Sequence, residues 1–175
     1  MYYILYFIAA FFLAELISGI FHWWEDRYGN PDWPLVGKYI IKPNIEHHKH
    51  MTKFCRGSYL YRNATTLIPC ILLASLFYYF QLYFLVLTML IVSQSNEIHC
   101  WSHLRCNKFI RFFQDLGLLQ SPRQHSIHHT KPFNRYYCVL SNYSNPVLDK
   151  LFFWNILEYI VSLFGASPRK ERELA

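Results

Sequence analysis

At 175 residues the chain is long enough for one domain. Hydrophobic residues make up 53% and aromatics 19%, which excludes an ordinary soluble domain of this size and points to a bilayer. The net charge of +6 does not mark a nucleic-acid binder: no RNA-module or zinc-finger motif is present, and the basic residues flank apolar runs, where an anionic lipid surface is the natural partner.

The first element runs from Tyr2 to Trp24, about twenty mostly apolar residues and enough for one crossing of a ~30 Å hydrocarbon core. With no basic stretch before it and no small-residue cleavage site, Met1 to Phe21 is expected to be retained as a span. Glu15 lies mid-span, and an acid there is expected to face the protein interior. Glu15, Ser18, Gly19, His22 and Asp26 recur along one helical stripe, where Ser18 and Gly19 are expected to let another helix approach closely. Gly29, Pro31 and Pro34 then end the helix and turn the chain back along the membrane surface. Pro43-Asn44 precedes Ile45-Glu-His-His-Lys-His50, the expected start of a short helix in a basic region.

Leu67 to Val92 is a long apolar run broken only by Ser75, Gln81 and Thr88. It reads either as one tilted crossing or as two short helices turning near Phe80-Gln81. Charge favours the hairpin: every Lys and Arg lies in residues 27–62 or 105–172. The positive-inside rule then puts both basic regions, and the histidines within and between them, on the cytosolic side. From Asn107 to Gln120, apolar and charged residues alternate as in an interfacial amphipathic helix. Asn145-Pro146 opens a last helix to about Phe164, also expected to lie on the membrane. The fold class predicted is all-α integral membrane, multi-pass, with about three transmembrane helices, interfacial helices and a cytosolic-face polyhistidine cap. Residues 1–165 form the domain, and residues 166–175 a charged tail expected to be disordered. Five cysteines, odd in number and without CxxC, argue against a disulfide framework.

Histidine carries the chemistry. Ser121-Pro-Arg-Gln-His-Ser-Ile-His-His129 has an N-cap serine and a first-turn proline, so His125, His128 and His129 fall on one helical face. His99 and His103 are an i, i+4 pair at the matching end of the third span, and His22 sits at that end of the first. With His47 and His48, eight imidazoles are placed to converge. Any one histidine is more commonly surface decoration, but three multi-histidine groups at once are not. A structural zinc takes four ligands, so eight nitrogens overfill one ion and fit two. Asp26, Glu46 and Glu97, with Asn96 as a polar partner, are the candidates for orienting the rings from outside. His50 is left out of the set, and position 100 is Cys, so no HExxH zinc-protease motif exists.

The segments His22-Trp-Trp-Glu-Asp26, Pro34-Leu-Val-Gly37, Glu46-His-His48, Asn96-Glu-Ile-His-Cys-Trp-Ser-His103, Gln114-Asp-Leu-Gly117, Arg123-Gln-His-Ser-Ile-His-His129 and Tyr136-Tyr-Cys138 resemble, in order, the motifs of the Kua/CarF lipid desaturase family. The resemblance spans most of residues 13–150. It implies a di-iron enzyme that uses O2 and two electrons from a cytochrome b5 or ferredoxin-type donor to desaturate a fatty acyl or alkyl-ether chain of a phospholipid or ether lipid. Gly57 stands where the ether-lipid branch carries a further histidine, so the branch stays open. Lipid or alkane hydroxylation on the same metal core, and a non-catalytic membrane protein binding haem or zinc, are the rival readings.

Overall fold

The computed structural model describes residues 2–170, and those residues form helices and loops with no strand. The first helix, α1 (Tyr2–Arg27), is about 39 Å long and carries most of its apolar side chains outwards. Its buried stripe is Ala10, Ala14, Glu15, Ser18, Gly19, His22, Trp23 and Asp26. Polar groups inside and Tyr3, Ile4, Phe7, Phe12 and Phe21 outside is the reverse of a water-soluble helix.

After the break at Gly29–Pro34 a short π-helical turn (Gly37–Ile41) leads into α2 (Lys42–Lys49), which carries His47 and His48. The next helix, α3 (Tyr59–Tyr79), starts at the N-cap Ser58, whose hydroxyl accepts from the Tyr61 N–H at 3.3 Å. It ends in a hairpin turn at Phe80-Gln81, the position the charge argument favoured. Gln81 takes the left-handed conformation (φ 58°), Leu82 N–H donates to the Phe77 carbonyl and Gln81 N–H to that of Tyr78. That pair of bonds is a Schellman stop with glutamine in the place glycine usually fills. The chain then returns antiparallel as α4 (Tyr83–Val92) and, past a tight turn at Ser93-Gln94, continues as α5 (Ser95–His103). The hairpin therefore brings His99 and His103 back to the end where α2 lies.

Two of the described helices, α1 and α3, are long and apolar enough to cross a membrane. The expected third crossing is different: α4 alone spans about 15 Å, and only together with α5 does the return leg match α3. The amphipathic stretch is shorter than predicted, α6 (Lys108–Asp115), because Gly117 at φ 76° ends it. It exposes Phe109 and Phe112. As expected, α7 (Pro122–His128) is capped by Ser121, whose hydroxyl accepts from Gln124 N–H at 3.3 Å, with Pro122 in the first turn. The predicted long last helix is two helices, α8 (Ser144–Lys150) and α9 (Phe153–Ser162), separated where Phe152 turns left-handed.

Between α7 and α8 the chain has no regular structure, yet Tyr137, Cys138, Leu140 and Ser141 have no exposed surface. Buried backbone without a ladder must find side-chain partners. Asn145 and Gln120 supply them for Cys138: its N–H donates to Asn145 Oδ1 at 3.0 Å, and its carbonyl accepts from Asn145 Nδ2 and Gln120 Nε2 at 2.8 and 2.6 Å. Glu15 accepts the Ser141 N–H, which accounts for the acid in the middle of α1. Gly19 lets this segment lie against α1, since a Cβ there would meet Cys138 Sγ at 2.7 Å and Trp154 at 3.1 Å. The Ser18-Gly19 pair predicts a neighbouring helix; what lies against Gly19 is instead this buried loop, with the Trp154 ring of α9 beside it.

The tail expected to be disordered is held as far as Arg169, which bonds to the end of α1; residues 171–175 lie outside the described residues.

Candidate metal centre

All eight imidazoles meet at the end of the helices where α1 stops and α2, α5 and α7 converge, and they sort into two groups. His47, His99, His103, His125 and His129 form one; His22, His48, His128 and Asp26 form the other. Within each, one potential ligand atom per residue lies within 4.8 Å of every other. The groups adjoin: ring centroids are 4.8 Å apart for His48 and His129, and 5.2 Å for His22 and His99. Asp26, His125 and His128 have no exposed surface, while His103 and His129 lie nearer the surface.

Elements and spacing explain the arrangement. His22 and Asp26 are one turn apart on the buried face of α1, and His99 and His103 one turn apart on α5. On α7, His125 and His128 point inwards, and His129, the residue that ends the helix, reaches the same group as His125. Backbone carbonyls fix several rings. The Nδ1 atoms of His22, His47 and His128 sit 3.0, 3.2 and 3.0 Å from the carbonyls of Tyr137, Met51 and Arg135. A carbonyl only accepts, so each Nδ1 carries a proton, and in the neutral ring that tautomer leaves the lone pair on Nε2. Those three Nε2 atoms are buried with no hydrogen-bond partner among the described residues, as is Asp26 Oδ2.

The residues fit metal ions on these observations. In the five-imidazole group Nε2 atoms stand 2.8 Å (His99–His125), 3.0 Å (His125–His129) and 3.2 Å (His99–His103) apart. Crowded ring nitrogens cannot all be satisfied by hydrogen bonds to one another, whereas ligands of one ion at bonds of ~2.0–2.1 Å are naturally about this far apart. In the other group Asp26 is central, with Oδ1 3.0 Å from His48 Nε2 and Oδ2 3.2 and 3.9 Å from the Nε2 atoms of His128 and His22. Burial, reinforced by neighbouring imidazoles, holds His47, His125 and His129 well below the usual histidine range, so all three are neutral and free to ligate. The Phe54 ring closes the five-imidazole group, 4.6 Å from His47 and 4.9 Å from His99 by centroid, and Phe133 lies 5.6 Å from His48.

The outer groups expected from sequence divide. Asp26 stands among the rings rather than behind them. Glu46 is on the surface with Lys53. Glu97 turns away from His99 and accepts from Arg62 (2.6 and 2.7 Å), Asn63 (2.9 Å) and Trp101 (3.0 Å). Asn96 donates to the Arg62 carbonyl at 3.3 Å. The hydrogen bonds of these three side chains run to Lys53, to Arg62, Asn63 and Trp101, and to the Arg62 carbonyl and Thr65, away from the rings. His50 is exposed and outside both groups. The carbonyls of Met51, Arg135 and Tyr137 went unpredicted because a backbone oxygen leaves no mark in sequence.

A family model described as the lipid desaturase domain matches residues 11–171 of the chain, a stretch that contains every residue of both groups. The chain belongs to the lipid desaturase family. Its relatives include plasmanylethanolamine desaturase 1 of Mus musculus, 31% identical over 94% of this chain and 67% of that protein. Plasmanylethanolamine desaturase of Myxococcus xanthus is 28% identical over 94% of this chain and 62% of its own length. The chloroplastic fatty acid desaturase 4-like 1 of Arabidopsis thaliana is 34% identical over 94% and 59%. The chain thus spans 59–67% of the length of these relatives, all of them named as desaturases, which are oxidoreductases. No solved structure matches it.

Proposed function

We propose that this member of the lipid desaturase family is a membrane-bound di-iron desaturase acting on a fatty acyl or alkyl-ether chain of a phospholipid. The observation that carries this reading is the convergence of eight imidazoles and one buried carboxylate into two adjoining groups at one end of apolar helices. One iron would be held by His47, His99, His103, His125 and His129, the other by His22, His48, His128 and Asp26. The bound iron would supply oxidising power: O2, two electrons and two protons are consumed, two hydrogens leave adjacent carbons, and two waters and a C=C bond result. The electrons come from a cytochrome b5 or ferredoxin-type donor. The chain's own groups hold and protect the site. Carbonyls of Tyr137, Met51 and Arg135 keep His22, His47 and His128 in the ligating tautomer, Asp26 offsets cationic charge, and Phe54 and Phe133 keep water away.

The same reading makes the chain a multi-pass membrane protein with α1 and the α3–α4/α5 hairpin in the bilayer. The site sits at the cytosolic boundary, because the basic residues follow α1, precede α3 and follow α5. Lipidomics of a host expressing the chain beside a His128→Ala control tests the activity. The expected product is a lipid species two hydrogens lighter that the control lacks. A species one oxygen heavier, or identical profiles despite iron-loaded wild type in a host with suitable lipids and donor, overturns desaturation.

A further inference from the structure

The last turn of any helix leaves its final carbonyls without intrahelical donors. In α1 these are the carbonyls of Glu25, Asp26 and Arg27, and a residue more than 140 positions away in sequence serves all three. The Arg169 guanidinium Nη1 donates to the carbonyls of Glu25 and Asp26 at 3.2 and 2.8 Å, and its backbone N–H donates to that of Arg27 at 2.6 Å. Nη2 donates to the Gly29 carbonyl just beyond. The contact is reciprocal, with Arg27 Nη1 donating to the Arg169 carbonyl at 3.1 Å. A second tie reinforces it: Arg27 Nε and Nη2 donate to the two carboxylate oxygens of Glu158 on α9 at 2.6 and 3.4 Å. A fixed cation at a helix C-terminus also meets the negative end of the helix dipole.

The turn held this way is the turn that presents Asp26. Its side chain faces His22, His48 and His128, while its own carbonyl is gripped from behind. No side chain of the five-imidazole group lies on α1. The clamp therefore bears directly on one group only.

We infer that Arg169 is a positioning residue for the Asp26 group, clamping the end of α1 so that the carboxylate and His22 stay in register with His48 and His128. The inference rests on the metal-site reading above. It gives the stretch after α9 a role in assembling the centre, and it makes the two halves of that centre separable.

The test is anaerobic ferrous-ion titration of the detergent-solubilised full chain, with bound iron counted after gel filtration. Wild type is expected to retain two equivalents, Arg169→Ala one, and Arg169→Lys, which keeps a cationic donor, close to two. Asp26→Asn serves as the reference for loss of that same ion, and the thermal midpoint of each variant reports folding. Two equivalents in Arg169→Ala at wild-type affinity overturn the clamp while leaving the metal reading intact. Loss of both ions with a collapsed thermal midpoint in both Arg169 variants overturns it too, since the residue would then serve the fold at large. Wild type that binds no iron overturns the metal reading and the clamp together.

Discussion

At the scale of single residues, burial decides the charge of the imidazoles in the proposed centre. A histidine that loses water without gaining an anion stays neutral, and His47, His125 and His129 are held in that state. The sign of the consequence follows from linkage. Below about pH 6.5 the unfolded chain takes up protons that these buried rings refuse, so stability is present above that pH and lost as pH falls through it. The thermal midpoint of the metal-free chain is expected to drop steadily between pH 7 and pH 5.5; a midpoint that stays flat or rises on acidification contradicts the buried neutral assignment. At this scale the sequence was informative where side chains act and blind where they do not. His22 and Asp26 are one turn apart, the spacing that aligned His99 with His103, yet the carboxylate expected to orient the rings from outside stands among them. Glu46 and Glu97 were named for being near His47 and His99 in sequence. Neighbours in a helix point different ways, and both acids found cations elsewhere.

Elements with a strong period or a clear cap were legible: α1, the hairpin at Phe80-Gln81, and α7 with its Ser121 cap. The elements that were missed have neither. Nothing in a local pattern marks the left-handed Phe152 that divides the last helix, or the buried irregular stretch through Tyr137 to Ser141. That stretch exists because α1 carries groups that satisfy it, and Glu15 is the deepest of them. Glu15→Ala leaves the Ser141 N–H buried without an acceptor, which costs on the order of 1–3 kcal/mol. Glu15→Gln keeps an acceptor oxygen in place and should lose much less. Comparing their unfolding midpoints in detergent checks this. Equal losses in both variants would mean that the carboxylate's charge, and not its acceptor role, holds the loop.

At the scale of the molecule, the described residues expose far more large apolar side chains than a soluble bundle does. Its helices turn many aromatic and aliphatic side chains outwards, and beside the apolar clusters around Ala14–Leu140 and Trp23–Trp154 they bury carboxylates, amides and imidazoles. In the proposed bilayer setting that surface would face lipid, and the buried imidazoles gather at the end where α1, α2, α5 and α7 meet. Two donor sets of different composition lie there, five imidazoles in one and three imidazoles with a carboxylate in the other. Two irons bound to them cannot be electronically alike. Mössbauer spectroscopy of the anaerobically reduced, iron-loaded chain, paired with metal analysis, tests this most directly. The account predicts two irons per chain and two ferrous quadrupole doublets of equal area. A single iron, a single bound zinc, or a haem absorption band with no non-haem iron would contradict it.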